Sequence, residues 1–194
     1  MKIVLASNNA KKLKEMQTLL EPLQVTLITQ ATLDVPEAEE TGLTFVENAL
    51  IKARHASALT GLPAIADDSG LAVDCLNGAP GIYSARYAGE NAKDAENNAK
   101  LLAAIKNQST PITARYYCAI VYLRSAQDPT PLITQGSWEG EIIQQPQGDG
   151  GFGYDPLFYL PHLNCTAAQL TAEKKAQLSH RGKALAELIK QFTV

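Results

Sequence analysis

The chain has 194 residues, 45% hydrophobic and 19% charged, enough for one soluble domain with a buried core. Its net charge of -3 argues against a surface built to track nucleic-acid phosphates, which needs a broad basic stripe. No apolar run approaches the roughly 18 residues of a membrane span, and the N-terminal run is too short for a signal peptide. Cys75, Cys118 and Cys165 lie far apart with no CxxC among them, so they read as free thiols of a reducing cytosol. The expected location is cytoplasmic, with no nucleic-acid and no membrane partner.

Taken in chain order, the apolar run 2–6 predicts a buried strand and SNNAKK a polar loop after it. Leu13, Met16 and Leu20 at helical spacing predict a helix from about residue 10 that stops before Pro22, followed by a strand at 25–28. Residues 31–43 are polar and irregular, with the carboxylates Asp34, Glu37, Glu39 and Glu40. Thr44 and Glu47 form a capping-box pattern that opens a helix over about 45–60, closed by Gly61. Its alanines Ala49, Ala53 and Ala56 suit close packing. A strand is expected at 64–67, loops and short strands over 69–90, and an amphipathic helix over 91–106. The alternating stretch 114–124 is the clearest strand, with 132–143 as its antiparallel neighbour. Residues 145–156 are glycine-rich; Ser179 reads as an N-cap, with Leu185, Leu188, Ile189 and Phe192 on one apolar helix face. Strands and helices mix along the whole length, so the expected fold is α/β with a mixed sheet in a single unit, 1–194.

The chemistry centres on AIADDSG, residues 64–70. Neighbouring side chains on a strand point to opposite faces, so Asp67 and Asp68 are not one paired site. One is expected to face a cleft; the other bonds local backbone or caps a turn. Adjacent acids at a strand end are also ordinary turn chemistry, so their weight comes from Glu39-Glu40, several lysines and two glycine-containing loops. Oxygen ligands of this kind suit Mg²⁺, which takes one or two carboxylates together with substrate phosphates. No His/Cys cluster suits zinc, and His55 and His162 read as solvated or structural. His180 and Arg181 sit at a helix start, where free N–H groups attract anions. Neither GxxxxGK[ST] nor a GxGxxG after a strand is present. Gly151-Phe152-Gly153-Tyr154-Asp155 is either a turn before a strand or a backbone that approaches a flat ring, with Phe152 or Tyr154 against its face.

Six fragments in fixed order resemble the inosine triphosphate pyrophosphatase family over nearly the full length. They are Ser7 to Lys12, Glu40 to Ala49, Ala66 to Leu71, Gly78 to Arg86, Gly151 to Pro156, and Ser179 to Arg181. The resemblance implies a mixed α/β fold with flanking helices and two lobes around a central cleft, usually a homodimer. It implies Mg²⁺-dependent cleavage of inosine, deoxyinosine and xanthosine triphosphates to monophosphate and pyrophosphate. By it, Asp68 is the catalytic acid at the metal, Glu40 the second metal-side carboxylate and Glu39 a weaker candidate. Ser7, Asn8, Asn9, Ala10, Lys11 and Lys12 match the first phosphate-binding loop, Lys52 a further phosphate contact and Ser69 a substrate contact. Phe152, Gly153, Tyr154, Asp155, Lys175, His180 and Arg181 match the nucleoside-binding set. The family usually has Thr-Gly-Asn where this chain has Ser7-Asn8-Asn9; the hydroxyl is kept and glycine's backbone freedom is not.

Two other functions fit the same residues. One is a pyrophosphatase of a related class acting on dTTP and UTP; the other is a nucleotide sensor without turnover. Trp138 and the tyrosines of 114–124 fit either a dimer surface or the core, the core being favoured.

Overall fold

The computed structural model describes residues 1–9, 12–13, 16–17, 20 and 24–192. Strands β1 (Lys2–Leu5) and β2 (Thr26–Thr29) run parallel, Lys2 opposite Thr26. Strand β3 (Ala64–Val73) lies parallel on the other side of β1, Val4 opposite Ala64. Strands β4 (Thr113–Leu123), β5 (Leu132–Ile142), β6 (Phe158–Leu160) and β7 (Cys165–Thr166) complete a seven-stranded sheet in the order β2-β1-β3-β4-β5-β6-β7. The pairs β5–β6 and β6–β7 are antiparallel, so the sheet is mixed, as expected. The flanking helices are α1 (Phe45–Thr60), α2 (Asp94–Ile105), α3 (Ala172–Leu178) and α4 (His180–Gln191). None of the described helices is long and apolar enough to cross a membrane.

The chain forms two compact units. The first comprises Met1–Asp68, Cys118–Gly136 and Lys183–Val194. Both faces of β1, of the start of β3 and of the end of β4 are apolar, the pattern of strands covered on each side. Ile3, Leu5, Ile65, Cys118 and Ile120 pack with Met16, Leu20 and the α4 residues Ala184, Leu185 and Leu188. Val4, Ala6, Ala64, Ala66, Val121 and Leu123 pack against the α1 alanines Ala49, Ala53 and Ala56, all fully buried. A stripe of methyl groups brings a helix backbone close to a sheet, the reason α1 can press its polar neighbours Asn48 and Lys52 onto β3.

The second unit, Ser69–Tyr117 and Ser137–Gly182, is built around aromatic rings. Tyr116, Trp138 and Phe158 pack together, with centroids 4.7 Å apart for Tyr116–Phe158 and 5.5 Å for Trp138–Phe158. Leu71, Leu101, Ile105 and Leu157 fill the space around them. Tyr116 and Trp138 are thus core residues, and Tyr122 is one in the core of the first unit.

Several boundaries differ from the sequence reading. β3 does not end at residue 67 but continues through Asp68, Ser69 and Gly70 to Val73, with Asp67 paired to Lys12 and Asp68 to Lys52. The helix expected over 91–106 covers Asp94–Ile105. α3 was not expected; Ala-Glu-Lys-Lys-Ala-Gln-Leu carries no apolar stripe to announce it. Lys12, Leu13, Met16, Gln17 and Leu20 are helical, whereas both ends expected for that helix, with Ala10 and Lys11 at one and Pro22 at the other, lie outside the described residues.

Candidate functional site

In the first unit, the loop before α1 and strand β3 each bring a carboxylate to one ammonium carried by α1. Lys52 Nζ donates to Glu40 Oε1 at 2.8 Å and to Asp68 Oδ1 at 3.0 Å. Thr44 begins α1 as expected, its hydroxyl accepting the Glu47 N–H at 3.2 Å, while the Glu47 carboxylate accepts the Leu43 N–H at 2.9 Å. That cap sets where α1 starts, and hence where Asn48 and Lys52, one turn apart, meet β3. Asn48 is fully buried. Its Nδ2 donates to Asp68 Oδ2 at 3.4 Å and its Oδ1 accepts the Gly42 N–H at 2.9 Å. The amide therefore ties the Glu40 loop to Asp68. Gly42 has no room for a side chain: a Cβ there would stand 2.7 Å from Asn48 Oδ1.

Asp67 and Asp68 follow the strand alternation. Asp68 shares the α1 face of Ala64 and Ala66; Asp67 shares the face of Ile65 and pairs with Lys12, Nζ to Oδ2 at 2.9 Å. The second acid was expected to bond local backbone or cap a turn; it caps no turn, since it lies within β3, and it is a buried ion-pair partner, as a carboxylate so enclosed needs a cation. Burial raises the Asp68 carboxyl above its ordinary range, Lys52 pulls it back, and Glu40 and Asp67 push it up again. Burial lowers the Lys52 ammonium, but Asp68, Asp67 and Glu40 outweigh it and the net shift is upward.

The first loop is held locally. Ser7 Oγ accepts the Asn9 N–H at 3.2 Å, Asn9 Oδ1 accepts the Lys12 N–H at 3.2 Å, and Asn8 Nδ2 donates to Glu37 Oε1 at 2.9 Å. Glu39 is exposed, and Glu40, half-buried on Lys52, is the acid that joins Asp68. His55 Nε2 lies 2.9 Å from the Pro36 carbonyl oxygen, a structural tie between α1 and the acidic segment.

Among the described residues no group of three or more His, Cys, Asp or Glu gathers to hold a metal ion unaided. Glu40, Asp67 and Asp68 carry three negative charges against two positive ones on Lys12 and Lys52. Two converging carboxylates and a net negative set fit a hard divalent cation whose remaining ligands are water and phosphate.

In the second unit, the segment 151–155 folds around Asp155, which is buried. Its Oδ2 accepts the Phe152 N–H at 2.8 Å and pairs with Lys175. Gly151 at φ +73° is the residue this turn demands, since a Cβ would lie 2.1 Å from the same oxygen. Lys175 Nζ stands 4.3 Å from the Phe152 ring centroid and the Arg181 guanidinium carbon 5.9 Å from it, so two cations face one ring. Arg181 also donates to Ser69 Oγ at 3.2 Å. His180 is buried and stacks on Tyr116, centroids 4.8 Å apart and planes 9° apart. Burial pushes the Tyr116 phenol well up, and the Asp155 carboxylate beside it adds to the shift. Tyr154 does not present its ring to a ligand: it is 3% exposed and its hydroxyl donates to the Ser84 carbonyl at 2.7 Å.

The sequence reading gave no role to Asn48. A lone amide within the alanine stripe of α1 was the signal for it. Tyr116 was expected in the core or at a dimer surface; its stacking on His180 carried no signal, because the two lie 64 residues apart.

The Ham1 family model matches residues 3–191. The chain belongs to the Ham1 family. A dITP/XTP pyrophosphatase of Nitrosomonas europaea is 58% identical over 192 residues, covering 99% of this chain and 94% of the relative. One of Vibrio cholerae is 56% identical over 190 residues, covering 97% and 95%. Among solved structures, a HAM1 protein from Coxiella burnetii superposes with a TM-score of 0.94 at 52% identity, covering 98% of each chain. The Staphylococcus aureus Ham1 protein superposes with a TM-score of 0.88 at 41% identity, covering 99% of this chain and 97% of the other. The Ham1 model spans the segments that hold Glu40, Lys52, Asp68, Asp155, Lys175 and Arg181.

Proposed function

We propose that this Ham1-family chain is a nucleoside triphosphate pyrophosphatase. In this reading it hydrolyses dITP, ITP and XTP to the monophosphate and pyrophosphate with Mg²⁺. It acts as a cytoplasmic homodimer that clears deaminated purine nucleotides before they enter DNA or RNA, and residues 1–194 form one catalytic domain. The observation that carries the chemistry is the convergence of Glu40 and Asp68 on Lys52.

The reaction is in-line attack of water on the α-phosphorus. The new bond is between the water oxygen and phosphorus; the bond that breaks joins that phosphorus to the bridging oxygen of the leaving pyrophosphate. Asp68 orients the water and takes its proton. Asn48 on Oδ2 and Lys52 on Oδ1 fix both oxygens of that carboxylate, so little reorganisation is left for the reaction. Glu40 and Asp68 would hold a divalent ion, which would supply neutralising charge to the triphosphate. Lys12 and Lys52 answer the remaining phosphate charge, with Ser7, Asn8 and Asn9 in the first phosphate loop.

The residues of the second unit suit a base. The Phe152 ring offers a stacking face, and backbone and cationic donors around Asp155, Lys175, His180 and Arg181 suit a purine with an oxygen at position 6. Adenine would present an amino donor to the same donors and leave them unpaired, a penalty of about 1–3 kcal/mol. Ser69, which bonds Arg181, directly follows Asp68 on β3.

The test is a panel of dITP, ITP, XTP, dTTP, UTP and ATP with Mg²⁺, scored separately for pyrophosphate and orthophosphate. Pyrophosphate from the first three substrates is expected. Preference for dTTP and UTP would assign the chain to the related class, and binding without turnover would make it a sensor.

A further inference from the structure

Helix α2 grips the loop that carries Phe152. Asp94 Oδ2 accepts the Gly153 N–H at 2.7 Å, and Asn98 Nδ2 donates to the Gly153 carbonyl at 3.0 Å. The two side chains are one turn apart on the same helix face. Together they satisfy both backbone groups of one glycine, at φ +63°. The flanking residues are fixed by other means, Phe152 through its N–H on Asp155 and Tyr154 through its hydroxyl on Ser84. Gly153 has no side chain of its own to hold it, so the α2 pair sets its place.

Stability does not explain the choice of Asn98. Its Oδ1 is buried and has no hydrogen-bond partner among the described residues, a costly condition for an acceptor. Asn97 beside it shows the satisfied alternative: Oδ1 accepts the Ala88 N–H at 2.8 Å and Nδ2 donates to the Ala85 carbonyl at 3.1 Å. An apolar side chain of similar size at 98 would remove the orphan acceptor. What it would also remove is the donor on Gly153. Asp94 is different, since a carboxylate in the first turn of a helix is favourable in its own right.

We infer that Asp94 and Asn98 are positioning residues for the base of the substrate. They hold the Gly153 peptide so that Phe152 keeps its ring beside Lys175 and Arg181. This rests on the proposed function, and it adds two residues whose effect falls on binding rather than on the bond that breaks.

The experiment measures KM and kcat for pyrophosphate release from ITP with Mg²⁺, with thermal midpoints, for the wild type, Asp94→Ala, Asp94→Asn and Asn98→Leu. Loss of binding shared by ground and transition states raises KM alone, so Asp94→Ala and Asn98→Leu should raise KM about tenfold with kcat within about threefold of wild type. Asp94→Asn keeps an acceptor and should return KM to within about threefold. Asn98→Leu should melt at or above the wild-type temperature. Wild-type KM in both Asp94→Ala and Asn98→Leu overturns the inference, as does a KM increase that appears only with a matching loss of kcat and of thermal midpoint. If the wild type releases no pyrophosphate from any deaminated purine triphosphate, the proposed function falls and takes the inference with it; wild-type turnover with unchanged variants removes the inference alone.

Discussion

Asp67 and Asp68 are adjacent in sequence and answer to different lysines, Lys12 and Lys52. Removing the charge at Asp68 should therefore leave the other pair intact. Because burial raises the Asp68 carboxyl, its ionised form is the costly one in the folded protein. Asp68→Asn should keep a thermal midpoint near wild type while kcat falls by about 10²–10⁴-fold, the usual worth of a positioned acid or base. A melting curve and a pyrophosphate assay on one preparation check both halves. At this scale the sequence revealed that the two acids face opposite ways, since alternation along a strand is local. It did not reveal what neutralises Asp67, because Lys12 is 55 positions away and only the fold makes them neighbours. Tyr154 shows the reverse limit. An aromatic in a glycine-rich loop invites a stacking role, yet its ring packs in the core, with its hydroxyl on the Ser84 carbonyl.

Elements with a local signature were legible. The Thr44–Glu47 cap and Gly61 at φ +69° bracket α1, and Ser179 caps α4 by accepting the Gly182 N–H at 3.1 Å. The tight junction of α3 with α4 was not legible, because it depends on Gly182. A Cβ there would stand 1.7 Å from the Ala176 carbonyl oxygen. Glycine to alanine inside a helix ordinarily stabilises by about 1 kcal/mol. Gly182→Ala should instead destabilise, by about 3 kcal/mol in denaturant unfolding, because backbone stands in the way. The connection between β4 and β5 has its own anchor. Asp128 accepts from Arg124 Nε at 2.8 Å, from the Arg124 N–H at 3.0 Å and from the Thr130 N–H at 3.0 Å. The Arg124 side chain, then its N–H and that of Thr130, hold the Asp128 carboxyl far below the carboxylate range. A group with a depressed folded-state pKa contributes stability above its unfolded pKa and loses it as pH falls through the folded value. Asp128→Asn should thus be less stable than wild type at neutral pH, and the gap should narrow from about pH 4 downward. Chemical denaturation across that range measures it; a gap independent of pH would remove the ionic account of the turn.

Over the whole chain, six short segments in order indicated the family, and alternating apolar strands with intervening helices indicated a mixed α/β sheet. The passage from one compact unit to the other was hidden, because the chain crosses from Asp68 to Ser69 inside a single continuous strand, with no linker or shift in composition. That crossing follows the residue proposed to activate water and precedes the one that bonds Arg181. The central claim is that water attacks the α-phosphorus under the direction of Asp68. Hydrolysis of dITP in ¹⁸O-labelled water, with both products analysed by mass spectrometry, tests it most directly. The label should appear in the monophosphate, with unlabelled pyrophosphate; label in the pyrophosphate, or orthophosphate as the first product, would contradict it.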